Sequence, residues 1–227
     1  MRTKIKVRTK KNKKNAKKSI QKRTRKKHRK KTSQKSILAS ILASQTLPKS
    51  TQHRKKTKKI DALINNVGVA GPTGNIEKLS SDDWEQTLKT NVISHFYFTK
   101  LSIPMLKNNK GGSIINISST AGQKGSANTL AYNGANFAIV GMTQSMAREL
   151  GPHNINVNAV CPGAVDTHRM DVLGRGDTWN TMADTTPIGR NGTDEEVGDF
   201  CAYLCTEAAS WIHGQSINQN GGTVMEH

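Results

Sequence analysis

The chain has 227 residues and a formal net charge of +19 at pH 7, but that charge is unevenly distributed. Residues 1–59 hold 25 of the 35 Lys and Arg residues and no Asp or Glu, which leaves 10 basic and 16 acidic residues for 60–227. The first segment also lacks Gly, Cys, Phe, Tyr and Trp, so it cannot bury enough apolar surface to offset the entropy of ordering it. The composition therefore predicts a disordered, low-complexity basic tail at 1–59 and one folded domain at 60–227.

Composition also bounds the class of protein. The sequence contains no run of 18 apolar residues, so no membrane-spanning segment is expected. The three cysteines, Cys161, Cys201 and Cys205, complete no zinc-binding pattern, so they are expected to be reduced thiols with no metal site. A reducing, cytoplasmic location is the corresponding expectation.

The folded domain alternates short apolar strands with longer helices. We expect an N-cap at Ser81 or Asp82 for the first helix, one at Thr193 for the third, and a buried first strand. Such alternation is typical of βαβ units, and it predicts a doubly wound α/β fold with at least four parallel strands. The predicted strands are 61–66, 113–117, 156–160 and 215–218, and the predicted helices are 82–107, 131–150 and 193–206.

Polar residues follow the predicted strands at their carboxyl ends, where open parallel sheets carry their chemistry. Ser119 lies just past the second strand, Tyr132 begins the second helix thirteen residues later, and Asn91 lies within the first helix. A serine hydroxyl can hold a substrate carbonyl oxygen, and a tyrosine can give a proton to that oxygen or remove it. This set of residues suits interconversion of an alcohol and a ketone.

Five motifs in order resemble those of the short-chain dehydrogenase/reductase family, and together they cover essentially all of 60–227. The resemblance implies a partial Rossmann-like, doubly wound parallel sheet and an NAD or NADP cofactor. The motifs are NNVG at 65–68, NISSTAG at 116–122, YNGAN at 132–136, VNAVCPGAVDT at 157–167 and the segment 186–222.

The resemblance also implies roles for individual residues. Tyr132 would be the proton donor and acceptor, Ser119 would polarise the carbonyl, and Asn91 would hold a water in the proton relay. Residues 168–185 would be a mobile segment over the substrate. The residues implied in cofactor binding are Asn66 and Gly68 on the adenosine side and Pro162, Gly163, Val165 and Thr167 at the nicotinamide.

Two positions depart from the family pattern. Asn136 stands where the family has its active-site lysine, four residues after Tyr132 and on the same helical face. A cation this close favours a tyrosinate by about 1.4–4 kcal/mol, which an amide cannot replace. The family's glycine-rich cofactor turn also has no counterpart in 1–59, since the first glycine of the sequence is Gly68.

The basic segment 1–59 admits three interpretations. It would bind nucleic acid or another polyanion without sequence preference, because it has no aromatic residue to stack on bases. It would be a targeting segment, although Lys outnumbers Arg. In the third interpretation, residues 1–59 are a frame-shifted translation of DNA that once encoded the nucleotide-binding half of the family fold. The other reading frames of the coding DNA would test this interpretation.

Two hypotheses therefore remain for the folded domain. The first is an NAD(P)-dependent oxidoreductase acting on a secondary alcohol or ketone, such as a 3-oxoacyl thioester or a sugar or polyol. The alternative is a catalytically impaired or inactive remnant of such an enzyme. The family resemblance also implies a homo-dimer or tetramer built on the helices at 82–107 and 131–150.

Overall fold

A computed structural model describes residues 59–167 and 176–225, with the backbone alone described at 176–180. The predictions made for 1–58 and for 168–175 lie outside the described residues and stay predictions. No helix in the described part is long and apolar enough to cross a membrane.

Six strands are described, in chain order Ala62–Asn65 (β1), Gly112–Ile117 (β2), Ile155–Pro162 (β3), Val165–Asp166 (β4), Gly192–Thr193 (β5) and Ser216–Gln219 (β6). The main sheet is parallel and has the order β1-β2-β3-β6, while β4 and β5 form a separate parallel pair. The prediction of at least four parallel strands is confirmed.

The helices connect these strands as crossovers. The α-helices are Ser81–Leu88 (α1), Ser94–Asn108 (α2), Leu130–Leu150 (α3), Gly176–Thr185 (α4) and Asp194–Leu204 (α5). Shorter 3₁₀ turns are Ile76–Lys78, Thr120–Gly122, Gly151–His153 and Glu207–Ala209. The segment Lys89–Ile93 between α1 and α2 is a π-helix, so the single helix predicted at 82–107 is interrupted.

Two apolar layers hold the helices on opposite faces of the sheet, which makes the fold doubly wound. Ile114 of β2 packs with α2 and α3, whereas the next residue, Ile115, packs with α5 on the other face. Successive strand residues point to opposite faces, so one short run of isoleucines serves both layers. Burying each such side chain stabilises the fold by about 1.5–3 kcal/mol.

Two sequence expectations are wrong in detail. Strand β1 is half-exposed, because it pairs only with β2 among the described residues and Ile64 is 50% exposed. The first helix is capped by Ser80, whose hydroxyl accepts a hydrogen bond from Asp83 N–H, rather than by Ser81 or Asp82. The prediction of Thr193 as the cap of α5 is confirmed, with a reciprocal bond to Glu196.

Candidate active site

The carboxyl ends of three parallel strands bring the predicted site residues to one edge of the sheet. Asn65 of β1 lies opposite Asn116 of β2, and Ile117 lies opposite Val160 of β3. The segments that begin at Asn66, at Ser118 and after Pro162 therefore leave the sheet at the same edge.

Ser119 begins the tight turn Thr120–Gly122, and its hydroxyl oxygen accepts a hydrogen bond from Ala121 N–H at 3.2 Å. A hydroxyl has one hydrogen to donate and lone pairs to accept with. Because a backbone N–H occupies an acceptor position, the turn orients the oxygen and leaves its hydrogen available to a substrate carbonyl.

Tyr132 lies in the first turn of α3 and is half-buried. The Thr120–Gly122 turn packs directly on this helix: a Cβ built on Gly122 would lie 2.8 Å from the carbonyl oxygen of Asn136. Only glycine permits so close an approach of turn and helix. This contact brings the serine turn and the first turns of the tyrosine helix together.

The side chain of Asn136 is 3% exposed and faces inward. Its Nδ2 donates to the carbonyl oxygen of Tyr132 at 2.9 Å, and the Ser118 hydroxyl lies 3.4 Å from its Oδ1 and 3.1 Å from its backbone oxygen. Both ends of the amide therefore take part in contacts within the protein, at the position where the family has its active-site lysine.

Asn91 lies in the π-helical segment and forms two hydrogen bonds with a single residue of the loop after β1. Its Oδ1 accepts from Val69 N–H and its Nδ2 donates to Val69 carbonyl oxygen, each at 2.9 Å. The side chain is 3% exposed. It thus positions the 67–69 loop, a role that the implied water-holding function did not include.

The residues implied in cofactor binding lie on two loops, one after β1 and one after β3. Asn66 and Gly68 are exposed, and a Cβ on Gly68 would meet only the Asn91 side chain, at an ordinary 3.8 Å. Packing within the chain does not require glycine there, which fits close approach by a ligand. On the opposite side, Gly163 is required by the protein itself, since its Cβ would lie 2.9 Å from Asn220 Cα.

The remaining residues implied at the nicotinamide are placed by β3 and β4. Pro162 is buried at the end of β3, Val165 is half-buried in β4, and Thr167 is half-buried just beyond it. The structure thus places a buried amide, Asn136, where the family resemblance implied a lysine close to the tyrosine.

Comparison with known proteins decides the family. Residues 13–224 match the family model described as Enoyl-(Acyl carrier protein) reductase, a match that begins within the basic segment. The chain belongs to the short-chain dehydrogenase/reductase family.

Individual relatives agree with this assignment. The chain is 37% identical over 163 residues to the 3-oxoacyl-[acyl-carrier-protein] reductase FabG of Aquifex aeolicus, covering 72% of this chain and 65% of that one. It is 33% identical over 171 residues to the 7alpha-hydroxysteroid dehydrogenase of Escherichia coli K12, covering 75% and 66%. This short-chain dehydrogenase/reductase chain therefore spans slightly less than two thirds of the length of these curated relatives.

A solved structure supports the fold. The crystal structure of a protein from Agrobacterium tumefaciens, described as a candidate 2-deoxy-d-gluconate 3-dehydrogenase with bound NADP, matches with a TM-score of 0.67 and 27% identity. The match covers 72% of this chain and 67% of that one.

A chain of buried amides behind the site was not predicted from the sequence. Asn65 Nδ2 donates to Asn116 Oδ1 at 2.9 Å and to Thr99 Oγ1 at 3.1 Å, and Asn116 Nδ2 donates to Thr143 Oγ1 at 2.9 Å. These bonds tie the ends of β1 and β2 to α2 and α3. The single Asn near the carboxyl end of each of the runs ALIN and SIINI is the signal that would have found them.

A cavity of about 500 Å³ lies at the end of β6, bounded by the β4–β5 pair and the start of α5. Its wall includes Val165, Ile188, Arg190, Glu196 and Gln219. Neither Ser119 nor Tyr132 lines it, so the alcohol–ketone chemistry is not assigned to this cavity.

Proposed function

We propose that this chain carries the catalytic site of an NAD(P)-dependent oxidoreductase that interconverts a secondary alcohol and a ketone. The observation that carries the proposal is the pre-oriented hydroxyl of Ser119 on a turn packed against the helix of Tyr132. Membership of the short-chain dehydrogenase/reductase family supports it.

In this proposal the protein's own residues hold the substrate oxygen and move a proton. Ser119 donates its hydrogen to the substrate carbonyl oxygen, and the Tyr132 hydroxyl gives a proton to that oxygen in reduction or accepts it in oxidation. When bound, the nicotinamide supplies or takes up the hydride. A hydroxyl held in advance by Ala121 N–H needs little reorganisation as negative charge develops on the carbonyl oxygen.

The cofactor would lie along the two loops at the carboxyl edge. Asn66 and Gly68 would form the adenosine side, with their loop held by Asn91 through Val69. Pro162, Gly163, Val165 and Thr167 would form the nicotinamide side. The substrate classes to screen are 3-oxoacyl thioesters and keto forms of sugars or polyols, since relatives of this chain include reductases and dehydrogenases named for such compounds.

The second candidate is a catalytically impaired or inactive member of the family. The observation that favours it is Asn136, an amide bonded within the helix at the position where the family has a lysine. Proton transfer at Tyr132 would then proceed without that neighbouring cation.

Turnover by the full chain, followed through nicotinamide absorbance with NADH and NADPH and a panel of ketones, tests the proposal. Reduction of at least one ketone is expected, with activity lost in both Tyr132→Phe and Ser119→Ala at unchanged melting temperature. Dinucleotide binding without turnover of any ketone would favour the impaired family member. The absence of dinucleotide binding and turnover would overturn the proposed activity.

A further inference from the structure

The imidazole of His95, on α2, contacts the 67–69 loop and is 2% exposed. Its Nε2 is 3.2 Å from the carbonyl oxygen of Val67. A carbonyl oxygen can only accept, so Nε2 carries a hydrogen, and burial favours the neutral ring over the charged one. Nδ1 is then a buried acceptor, and within the described residues it has no hydrogen-bond partner.

His95 and Asn91 together hold the same short loop. They are four residues apart on one helical run, a spacing that places both side chains on the same face. Asn91 binds Val69 through two hydrogen bonds, and His95 binds Val67. The loop that they hold contains Gly68, the residue at which close approach by a ligand is possible.

The surroundings of His95 disfavour a positive charge. Burial lowers the pKa of the imidazole, and the bond to Val67 opposes that effect only in part. Of the elements packed against α2, β1 and β2 contain no ionisable residue, and neither do residues 66–70, which His95 contacts at Val67.

Ionisable groups on the neighbouring elements lie elsewhere. Asp61 precedes β1 at its opposite end, where it accepts a hydrogen bond from Asn109. Lys89 and Lys100, on the same helical run as His95, are exposed. The ionisable residues of α1 and α3 are Asp82, Asp83, Glu85, Tyr132, Arg148 and Glu149.

We propose that His95 is a positioning residue whose neutral imidazole holds the 67–69 loop for the dinucleotide, and whose protonation releases that loop. The proposal rests on the proposed function for the part that concerns the cofactor. Protonation would put a second N–H donor and a charge into a buried site that offers neither an acceptor nor a counter-ion among the described residues.

The direction of the pH effect follows from this placement. An exposed histidine takes up a proton near about pH 6.5, whereas buried His95 does so at lower pH. Between these two pH values, His95 binds a proton when the loop is released (the open loop) but not when it is held (the closed loop). The closed loop therefore loses stability as pH falls below about 6.5, by up to roughly tenfold in its equilibrium constant per pH unit.

Hydrogen exchange of the full chain without cofactor tests the loop directly. After correction for intrinsic rates, protection of residues 66–70 should fall by roughly tenfold between about pH 7 and pH 5.5, while protection of β3 should not. His95→Gln, which keeps an N–H donor but does not titrate, should show no such step. His153→Gln, at an exposed histidine, should retain it.

If His95→Gln fails to fold, the wild type alone still tests the proposal, because the pH dependence of protection at residues 66–70 can be compared with that of β3. An equal change in both segments, no change in the loop, or a step retained in His95→Gln would overturn the role of His95.

Calorimetric titration with NADPH at the same two pH values tests the consequence for binding. Affinity should fall several-fold at the lower pH in the wild type and not in His95→Gln. If protection of residues 66–70 falls with pH but the affinity for NADPH does not change, the effect of His95 on cofactor binding would be overturned. If protection of residues 66–70 falls with pH but neither NADPH nor NADH binds at either pH, the result would support the role of His95 in holding the loop. It would overturn the proposed function instead.

Discussion

Asn136 donates a 2.9 Å hydrogen bond from its side-chain nitrogen to the carbonyl oxygen of Tyr132, one turn earlier in the same helix. The amide therefore folds back on its own helix. A lysine at this position would have a longer stem, which would carry its ammonium group beyond the reach of the asparagine amide. The identity of residue 136 thus decides whether a cation is available to the proposed proton transfer.

Asn136→Lys is expected to raise kcat/KM by about 10- to 1000-fold, because a cation close to a tyrosinate favours it by about 1.4–4 kcal/mol. The measurement is the initial rate of ketone reduction and of alcohol oxidation with the best substrate pair. Asn136→Gln is the matched control, since it lengthens the side chain without adding charge. Equal rates in the two variants would show that the lysine charge is not what limits this chain.

Asn91→Ala is expected to destabilise the protein by about 1–3 kcal/mol, since it removes two hydrogen bonds worth about 0.5–1.5 kcal/mol each. Urea denaturation measures the change. Faster hydrogen exchange at 66–70 should accompany it, because Val69 loses both partners on Asn91. Asn108→Ala, at an exposed asparagine near the end of α2, is the control and should be nearly neutral. A similar loss of stability in both variants would argue against a specific role for the two hydrogen bonds between Asn91 and Val69.

The π-helical segment shows where sequence reasoning reached its limit. Residues 82–107 carry an uninterrupted helical pattern up to Pro104, so a single helix was the natural prediction. The bulge at Lys89–Ile93 coincides with the contact of Asn91 to Val69, residues 22 apart in sequence. Local periodicity contains no information about such a partner.

Strand β1 was mispredicted for a related reason. The run DALINN is apolar enough for a strand buried on both sides, and its local pattern alone favoured that interpretation. In the described structure it pairs only with β2 and exposes Ile64. By contrast, the start of α5 was predicted correctly because its signal is local: Thr193 and Glu196 satisfy each other's backbone N–H groups.

Thr193→Ala is expected to destabilise the protein by about 0.5–2 kcal/mol, because it leaves an N–H at the start of α5 without its side-chain acceptor. Thr193→Ser should retain most of the stability. Thermal or urea unfolding above about pH 5 is the appropriate measurement. A loss in Ser as large as in Ala would show that the threonine methyl, not the hydroxyl, matters.

The cap of α5 also includes the carboxylate of Glu196, and the pKa of that group determines how the cap responds to pH. Hydrogen bonds from Arg190, and then from the Thr193 backbone, hold the pKa of Glu196 at about 2. A carboxylate with a lowered folded pKa stabilises the fold above its ordinary value near 4.5, and that contribution disappears only as pH falls through about 2. The cap should therefore survive mild acid, under which the loop held by His95 is expected to open.

The exposed face of α2 leads to a prediction about assembly. Tyr97 and Leu101 are 53% and 56% exposed and lie four residues apart, on one side of the helix. We propose that this stripe is covered by a second copy of the chain. Light scattering after gel filtration should give at least twice the chain mass of 24.8 kDa.

The double variant Tyr97→Glu, Leu101→Glu should give a monomer, because it would bury two unpaired charges in the interface. Lys107→Glu is the control, since it changes charge on another side of the same helix at an exposed residue. Circular dichroism should show that the monomeric variant keeps its helices. A monomeric wild type, or a double variant that still assembles, would place any homo-oligomer contact on a different surface of the chain.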